Sequence, residues 1–108
     1  MRSVRTGDLR HRVTIQQLVS SFDEYNAPVE TWQDVATVWA AVEPLSGREY
    51  FAAEQVQARV TTRITIRYRA GIEPTMRVLW SGKTYNIRAV IDTEGRHEEL
   101  QLMCEEAA

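Results

Sequence analysis

Hydrophobic and polar positions alternate along several short stretches of this chain, as they do in strands that bury one face. The stretch His11 to Val19 places Val13, Ile15, Gln17 and Val19 on one face and Arg12, Thr14, Gln16 and Leu18 on the other. The same period of two recurs near the end of the chain, where Leu100, Leu102 and Cys104 alternate with Gln101, Met103 and Glu105. Each of these stretches predicts a half-buried strand.

Four further stretches complete the strand pattern. Asp34 to Glu43 is rich in Val, Ala and Thr and includes Trp39, so it favours a strand buried on much of both faces that ends at Pro44. In a later stretch Tyr85, Ile87, Ala89 and Ile91 share one face, and the tight turn Ser81-Gly82-Lys83 precedes it. The predicted strands here are 34–43, 59–69, 76–80 and 84–92. About six strands in total indicate a mainly β fold, a small antiparallel barrel.

One stretch between strands has helical character instead. Ser46 and Glu49 have the S-x-x-E spacing of a capping box, and Leu45 can pack against Tyr50 at the fourth helical position. We therefore predict one short helix near residues 47–57, which would cover an open end or edge of the barrel.

A row of arginines marks the strand "RVTTRITIRYR". Alternation places Val60, Thr62, Ile64, Ile66 and Tyr68 inside and Arg59, Arg63, Arg67 and Arg69 outside. The row is either a solvated face that discourages aggregation or an interface for a subunit or other partner, because arginine pairs well with carboxylates. A nucleic-acid groove would use the same arginines, but Tyr68 is expected inside, and exposed aromatics are the usual companions of such a groove.

The stretch Ser20 to Thr31, "SSFDEYNAPVET", has no clear periodicity and contains Asp, Asn and Pro, so it predicts a long loop. Loops of this length are either mobile surface or functional. The aromatics within it favour contact, and the candidate contact residues are Phe22, Asp23, Glu24, Tyr25 and Asn26.

Composition narrows the possibilities. A length of 108 residues suits one domain, 1–108, and a net charge of −2 gives no global attraction to nucleic acid or membrane. One cysteine excludes an internal disulfide and fits a cytoplasmic setting. We expect neither a secretion signal nor a membrane span. His11 and His97 have no ligand-like neighbours in sequence, so we expect no enzyme activity, metal or cofactor.

Nearly the whole chain resembles the tailed-bacteriophage head–tail connector family, also called head–tail joining, adaptor or head-closure proteins. The stretches that carry the resemblance are "GDLRHRVTIQQ", "WQDVATVWAAVEPLSGREYFAAEQVQA", "TRITIRYRAGIEPTMRVLWSGKTYNIRAVID" and "GRHEELQLMCEE". The family often has D-x-x-G within the loop where this chain has "DEYNAP".

The resemblance implies a small β-barrel with one helix and a structural role in virion assembly. Copies would form a ring of twelvefold symmetry below the portal and adaptor, joining the head to the tail and helping to close the channel through which packaged double-stranded DNA passes. The protein would lie at the head–tail interface of the virion, and in the host cytoplasm during assembly. The alternative from the residues alone is a small nucleic-acid-binding barrel that uses the arginine face of strand 59–69.

Overall fold

A computed structural model describes residues 9–45 and 60–107. Its strands are β1 (His11–Phe22), β2 (Pro28–Pro44), β3 (Thr62–Arg67), β4 (Arg77–Trp80), β5 (Lys83–Asp92) and β6 (Glu99–Glu106). A 3₁₀ turn at Thr93–Gly95 joins β5 to β6. The strands close into an antiparallel barrel in the order β1-β2-β3-β6-β5-β4. The predicted fold class is therefore confirmed, whereas the predicted helix near 47–57 lies outside the described residues.

The barrel interior is filled by aliphatic side chains from alternate strand positions. This pattern arises because successive side chains of a strand point to opposite faces, so every second residue enters the core. The largest fully buried apolar side chains are Ile15, Ile64, Ile66, Ile87, Leu102, Val13, Val60 and Val78. Cys104 is also fully buried, as its place in the alternation predicts.

A β-bulge in β5 reverses the inward and outward faces of that strand. Ile87 lies opposite Cys104, but Ala89 lies opposite Met103, so Arg88 is an extra residue in the ladder. Beyond the bulge Val90 packs against the core, and Ile91 is 44% exposed. The prediction that Ile91 shares the inner face of Tyr85 and Ile87 is wrong, because it assumed an unbroken period of two.

The predicted long loop from Ser20 to Thr31 is also wrong. Pairing of β1 with β2 continues through Ser20 opposite Glu30 to Phe22 opposite Pro28. Only residues 23–27 form the connection. Neither face of this outer part is buried by the barrel, so the sequence shows no hydrophobic alternation although the backbone is paired.

The β1–β2 hairpin is consequently longer than the barrel that carries it. On its outer sides, β1 pairs with β4 only from Thr14 to Gln16, and β2 pairs with β3 only from Ala40 to Pro44. The molecule extends 52 Å along one axis and 28 and 27 Å along the others. The part of the hairpin beyond the pair Gln16 and Asp34 projects as a two-stranded arm, residues 17–33, which we call the hairpin arm.

The β4–β5 connection is the tight hairpin that the sequence predicts. Ser81 and Gly82 both have positive φ, 53° and 76°. Positive φ at both central residues is the signature of a type I′ turn, whose twist matches that of the flanking strands.

Candidate interface surfaces

The four arginines predicted to share one strand face do not act as one group. Arg63 lies opposite Glu43 in the β2–β3 ladder, and its Nη2 donates a hydrogen bond of 3.4 Å to Glu43 Oε2. Arg67 is the last residue of β3, and Arg69 lies beyond the strand. Arg59 is outside the described residues. Arg63 is thus engaged within the barrel wall, while Arg67 and Arg69 lie at the other end of β3.

Arg67 and Arg69 help to form a groove where β2 and β3 separate. The ladder between these strands begins at the pair Ala40 and Ile66, and residues on the far side of that pair diverge. The groove has a volume of ≈ 510 Å³. Its lining residues are Leu9, Arg12, Thr37, Val38, Trp39, Arg67, Tyr68 and Arg69. We call this set the basic groove, because three of its members are arginines and none is acidic.

Trp39 and Arg12 are the groove residues that sequence reasoning missed. They lie opposite each other in the β1–β2 ladder, and the Arg12 guanidinium carbon is 4.9 Å from the centroid of the Trp39 ring. Trp39 is 51% exposed, although the sequence favoured burial on both faces. The pairing would follow from a hairpin turn centred on Tyr25, so recognising that turn was the signal that could have found the groove.

Tyr68 is exposed, which corrects the prediction that it faces inward. β3 ends at Arg67, so the alternation that places Ile64 and Ile66 inside stops one residue before Tyr68. Its backbone N–H donates to the carbonyl of Glu98 at 3.0 Å, and its ring meets the His97 ring edge-on, with centroids 4.4 Å apart. These contacts fix the chain segment that forms one wall of the basic groove.

The tip of the hairpin arm is acidic and aromatic. Phe22 is 70% exposed and Tyr25 is 83% exposed. From Ser20 to Thr31 the chain carries Asp23, Glu24 and Glu30 and no lysine or arginine. Large exposed aromatics close to each other are uncommon on surfaces that stay in water and typical of contact sites.

The tip has a defined conformation held by one carboxylate. Asp23 Oδ1 accepts hydrogen bonds from the backbone N–H groups of Tyr25 at 2.8 Å and Ala27 at 2.9 Å. The N–H of Asn26 donates to the carbonyl of Asp23 at 3.0 Å, and Asn26 has a φ of 62°. Asparagine tolerates this left-handed conformation better than most residues, which explains its place here.

The buried titratable side chains Cys104 and Tyr85 have structural roles in the barrel. Burial raises the pKa of the Cys104 thiol to about 12, so it stays protonated and unreactive at neutral pH. Burial, with Glu106 nearby, raises the pKa of Tyr85. In residues 9–45 and 60–107 there is no group of three or more His, Cys, Asp and Glu side chains suited to a metal. The same residues include no helix long and apolar enough to cross a membrane.

Comparison with known proteins decides the family. The sequence profile of the phage head completion protein family matches residues 4–107. The chain belongs to this family. Head completion protein gp7 of Enterobacteria phage HK97 is 28% identical over 107 residues, covering 94% of this chain and 96% of that protein. Head completion protein gp16 of Bacillus phage SPP1 is 31% identical over 87 residues, covering 80% of each.

Solved structures agree with the fold. The solution structure of protein SF1141 from Shigella flexneri 2a has a TM-score of 0.81 and 35% identity, over 97% of this chain and 98% of that one. A chain of the virion of a native gene transfer agent particle has a TM-score of 0.60 at 20% identity, over 92% of this chain and 96% of that one. The second likeness shows a shared fold at low sequence identity.

Family membership confirms the resemblance to head–tail connector proteins. A head completion protein is a structural component of the virion at the head–tail interface.

Proposed function

We propose that this chain completes the phage head by forming a ring of identical subunits, twelvefold as the resemblance implies, at the junction with the tail. The observation that carries the proposal is the family match over residues 4–107. The ring would contact portal or adaptor proteins on one side and tail proteins on the other, and double-stranded DNA would pass through its channel. The chain acts by packing against its neighbours rather than by catalysis.

The structure of the subunit supports this role. A closed barrel is a rigid body, and the hairpin arm adds a projecting element that can reach a neighbour. Arg67, Arg69, and the tip residues Phe22 to Asn26 remain the proposed contact sites.

The test is a phage in which the gene carries an early stop codon, complemented in trans by the wild-type chain. We expect the mutant to produce heads without tails and free tails by electron microscopy, with loss of packaged DNA. Complementation should restore infectious particles. Mutant phage that form tailed, infectious particles at the wild-type titre would refute the proposal.

A second candidate function is binding of single-stranded nucleic acid in the basic groove, and the exposed Trp39 and Tyr68 beside arginines are the observation in its favour. Three features weigh against it. Arg12 already lies over the Trp39 ring, Arg67 lies opposite Glu99 in the β3–β6 ladder, and the chain is net negative. Phosphate binding would make affinity for DNA fall steeply with salt, so a fluorescence titration at two salt concentrations separates the two functions.

A further inference from the structure

We propose that the tip of the hairpin arm of one copy docks into the basic groove of the next copy. The inference rests on the proposed ring and adds to it the specific contact by which neighbouring subunits recognise each other. The two surfaces belong to the same chain, so the partner is a second copy of this protein.

Charge complementarity is the first argument. No lining residue of the groove is a carboxylate, and Glu99 lies opposite Arg67 alone, so Arg12 and Arg69 supply its positive charge. The tip and the strands beside it carry three carboxylates without a cation. Each surface repels a second copy of itself and attracts the other. Such an arrangement favours tip-to-groove contacts and disfavours tip-to-tip and groove-to-groove contacts.

Apolar complementarity is the second argument. Between its arginines the groove offers Leu9, Val38 and the exposed ring of Trp39. Its ≈ 510 Å³ lies within the range of about 300–1,000 Å³ that is common for binding pockets, so an aromatic side chain such as Tyr25 fits. Phe22 and Tyr25 are large exposed aromatics, the residue class that anchors protein interfaces.

The position of the two surfaces is the third argument. Arg12 marks the groove and Phe22 the tip, ten residues apart on β1, which corresponds to about 33 Å along an extended strand. A contact between two different surfaces of identical subunits is heterologous. It produces a closed ring when the rotation closes, whereas a self-complementary surface would stop at a dimer.

Preorganisation is the fourth argument. The Asp23 carboxylate fixes the turn at the tip, and the Tyr68 contacts fix one wall of the groove. Surfaces that are already ordered lose less conformational entropy on binding than flexible ones.

Disulfide trapping tests the contact directly. The native Cys104 is fully buried, so engineered thiols at the surface react independently of it. The variant Tyr25→Cys with Arg69→Cys places one thiol at the tip and one in the groove. Assembled in heads and mildly oxidised, it should give a ladder of covalent multimers on a non-reducing gel, while each single variant should remain monomeric.

The matched control combines Tyr25→Cys with Lys83→Cys, since Lys83 is exposed at the β4–β5 turn and does not line the groove. The control should give no ladder. The docking contact would be overturned if the Tyr25→Cys, Arg69→Cys variant gave infectious particles but no ladder, or if this variant and the control gave equal ladders. Either result would leave the proposed function intact. A chain dispensable for infectious particles would instead refute the proposed function.

Charge reversal provides an independent measurement that does not depend on thiol geometry. Glu24→Arg and Arg69→Glu should each reduce the yield of infectious particles by about tenfold or more, because each places like charges face to face. The combined variant restores opposite charges at every tip-to-groove contact, so its yield should recover most of the loss. Glu73→Arg, at an exposed position outside the groove, is the control.

The result that overturns the inference is additive loss in the combined variant. Duplex DNA binding by the purified chain is a second check. If Arg69→Glu abolishes this binding and Glu24→Arg leaves it unchanged, the inference is overturned, because the groove would then bind phosphate rather than the tip.

Discussion

The guanidinium of Arg77 lies over the ring of Trp32, with its carbon 4.0 Å from the ring centroid. Arg77 is on β4 and Trp32 is in the hairpin arm on β2, and β1 lies between them in the sheet. Arg77 Nε also donates a hydrogen bond of 2.8 Å to Gln16 Oε1, and Gln16 Nε2 donates to Asp34 Oδ1 at 2.7 Å. These contacts brace the base of the arm against the barrel.

We expect Arg77→Ala to lower the free energy of unfolding by about 1–3 kcal/mol, since it removes a cation–π contact and a hydrogen bond that are partly shielded from water. Urea denaturation followed by tryptophan fluorescence measures this. Arg88→Ala is the matched control, because Arg88 pairs with Glu105 at 2.9 Å near the surface and such pairs contribute about 0–1 kcal/mol. Equal losses from both variants would show that Arg77 has no special role.

The conformation of the tip predicts a local effect. Asp23→Ala removes the acceptor for two backbone N–H groups, so amide exchange should accelerate at Tyr25 and Ala27 while the barrel keeps its protection. Hydrogen exchange followed by NMR measures this residue by residue. Glu24→Ala should leave both amides unchanged. Accelerated exchange throughout the barrel would mean that the tip and the barrel unfold together.

Thr65 offers a stabilising substitution. Its side-chain oxygen is buried and has no hydrogen-bond partner among residues 9–45 and 60–107. Thr65→Val keeps the β-branched shape and removes the unsatisfied hydroxyl, so the unfolding free energy should rise by about 1 kcal/mol. Thr14→Val is the control, because the Thr14 hydroxyl is 3.2 Å from that of Thr37 and its loss leaves Thr37 without this partner. A loss of stability in Thr65→Val would show that the hydroxyl is satisfied in solution.

Because the Cys104 thiol is buried, we expect slow labelling of this thiol and a change in stability at high pH. Burial raises its pKa from 9.0 to about 12, so the folded state keeps the proton where the unfolded state loses it. The stabilisation is present below pH 9 and is lost as the pH rises toward 12. Labelling by a thiol reagent at pH 8 should require unfolding. Cys104→Ala should flatten the part of the alkaline stability curve that comes from this thiol, and an unchanged curve would contradict the assignment.

The sequence predicted strands most accurately where one face of the strand is buried in the barrel. Ile64 and Ile66, or Leu100 and Leu102, follow the period of two because the barrel interior takes every second side chain. The same pattern could not reveal the strands within Ser20 to Thr31. They are paired by backbone hydrogen bonds, but neither face is buried, so their sequence has no hydrophobic alternation.

The basic groove could not be predicted from local patterns. Arg12, Trp39 and Arg69 are far apart in sequence, and they meet because β2 pairs with β1 along its length but with β3 only from Ala40 onward. Only the register of these ladders determines where the strands separate. The arginine row of strand 59–69 predicted Arg67 and Arg69 on one side of the basic groove. The register of the β1–β2 hairpin places Arg12 and Trp39 on the other side.

β1 pairs with β4, and β2 with β3, over only part of their lengths. The unpaired parts determine where a strand of another sheet could be added. Among the described strands, the longest open backbone edge is Pro28–Trp39 on β2, and Gln17–Phe22 on β1 is open as well. A shorter open edge lies on β5 beyond Asn86, where its pairing with β4 ends. Pro28 removes one donor from the β2 edge, and Glu30 and Asp34 add charges that resist stacking. The proposed ring would hold many copies at a high local concentration, which is the condition that favours amyloid-like strand addition. The proline and the carboxylates along the longest open edge would therefore keep the sheets of neighbouring barrels separate in such a ring.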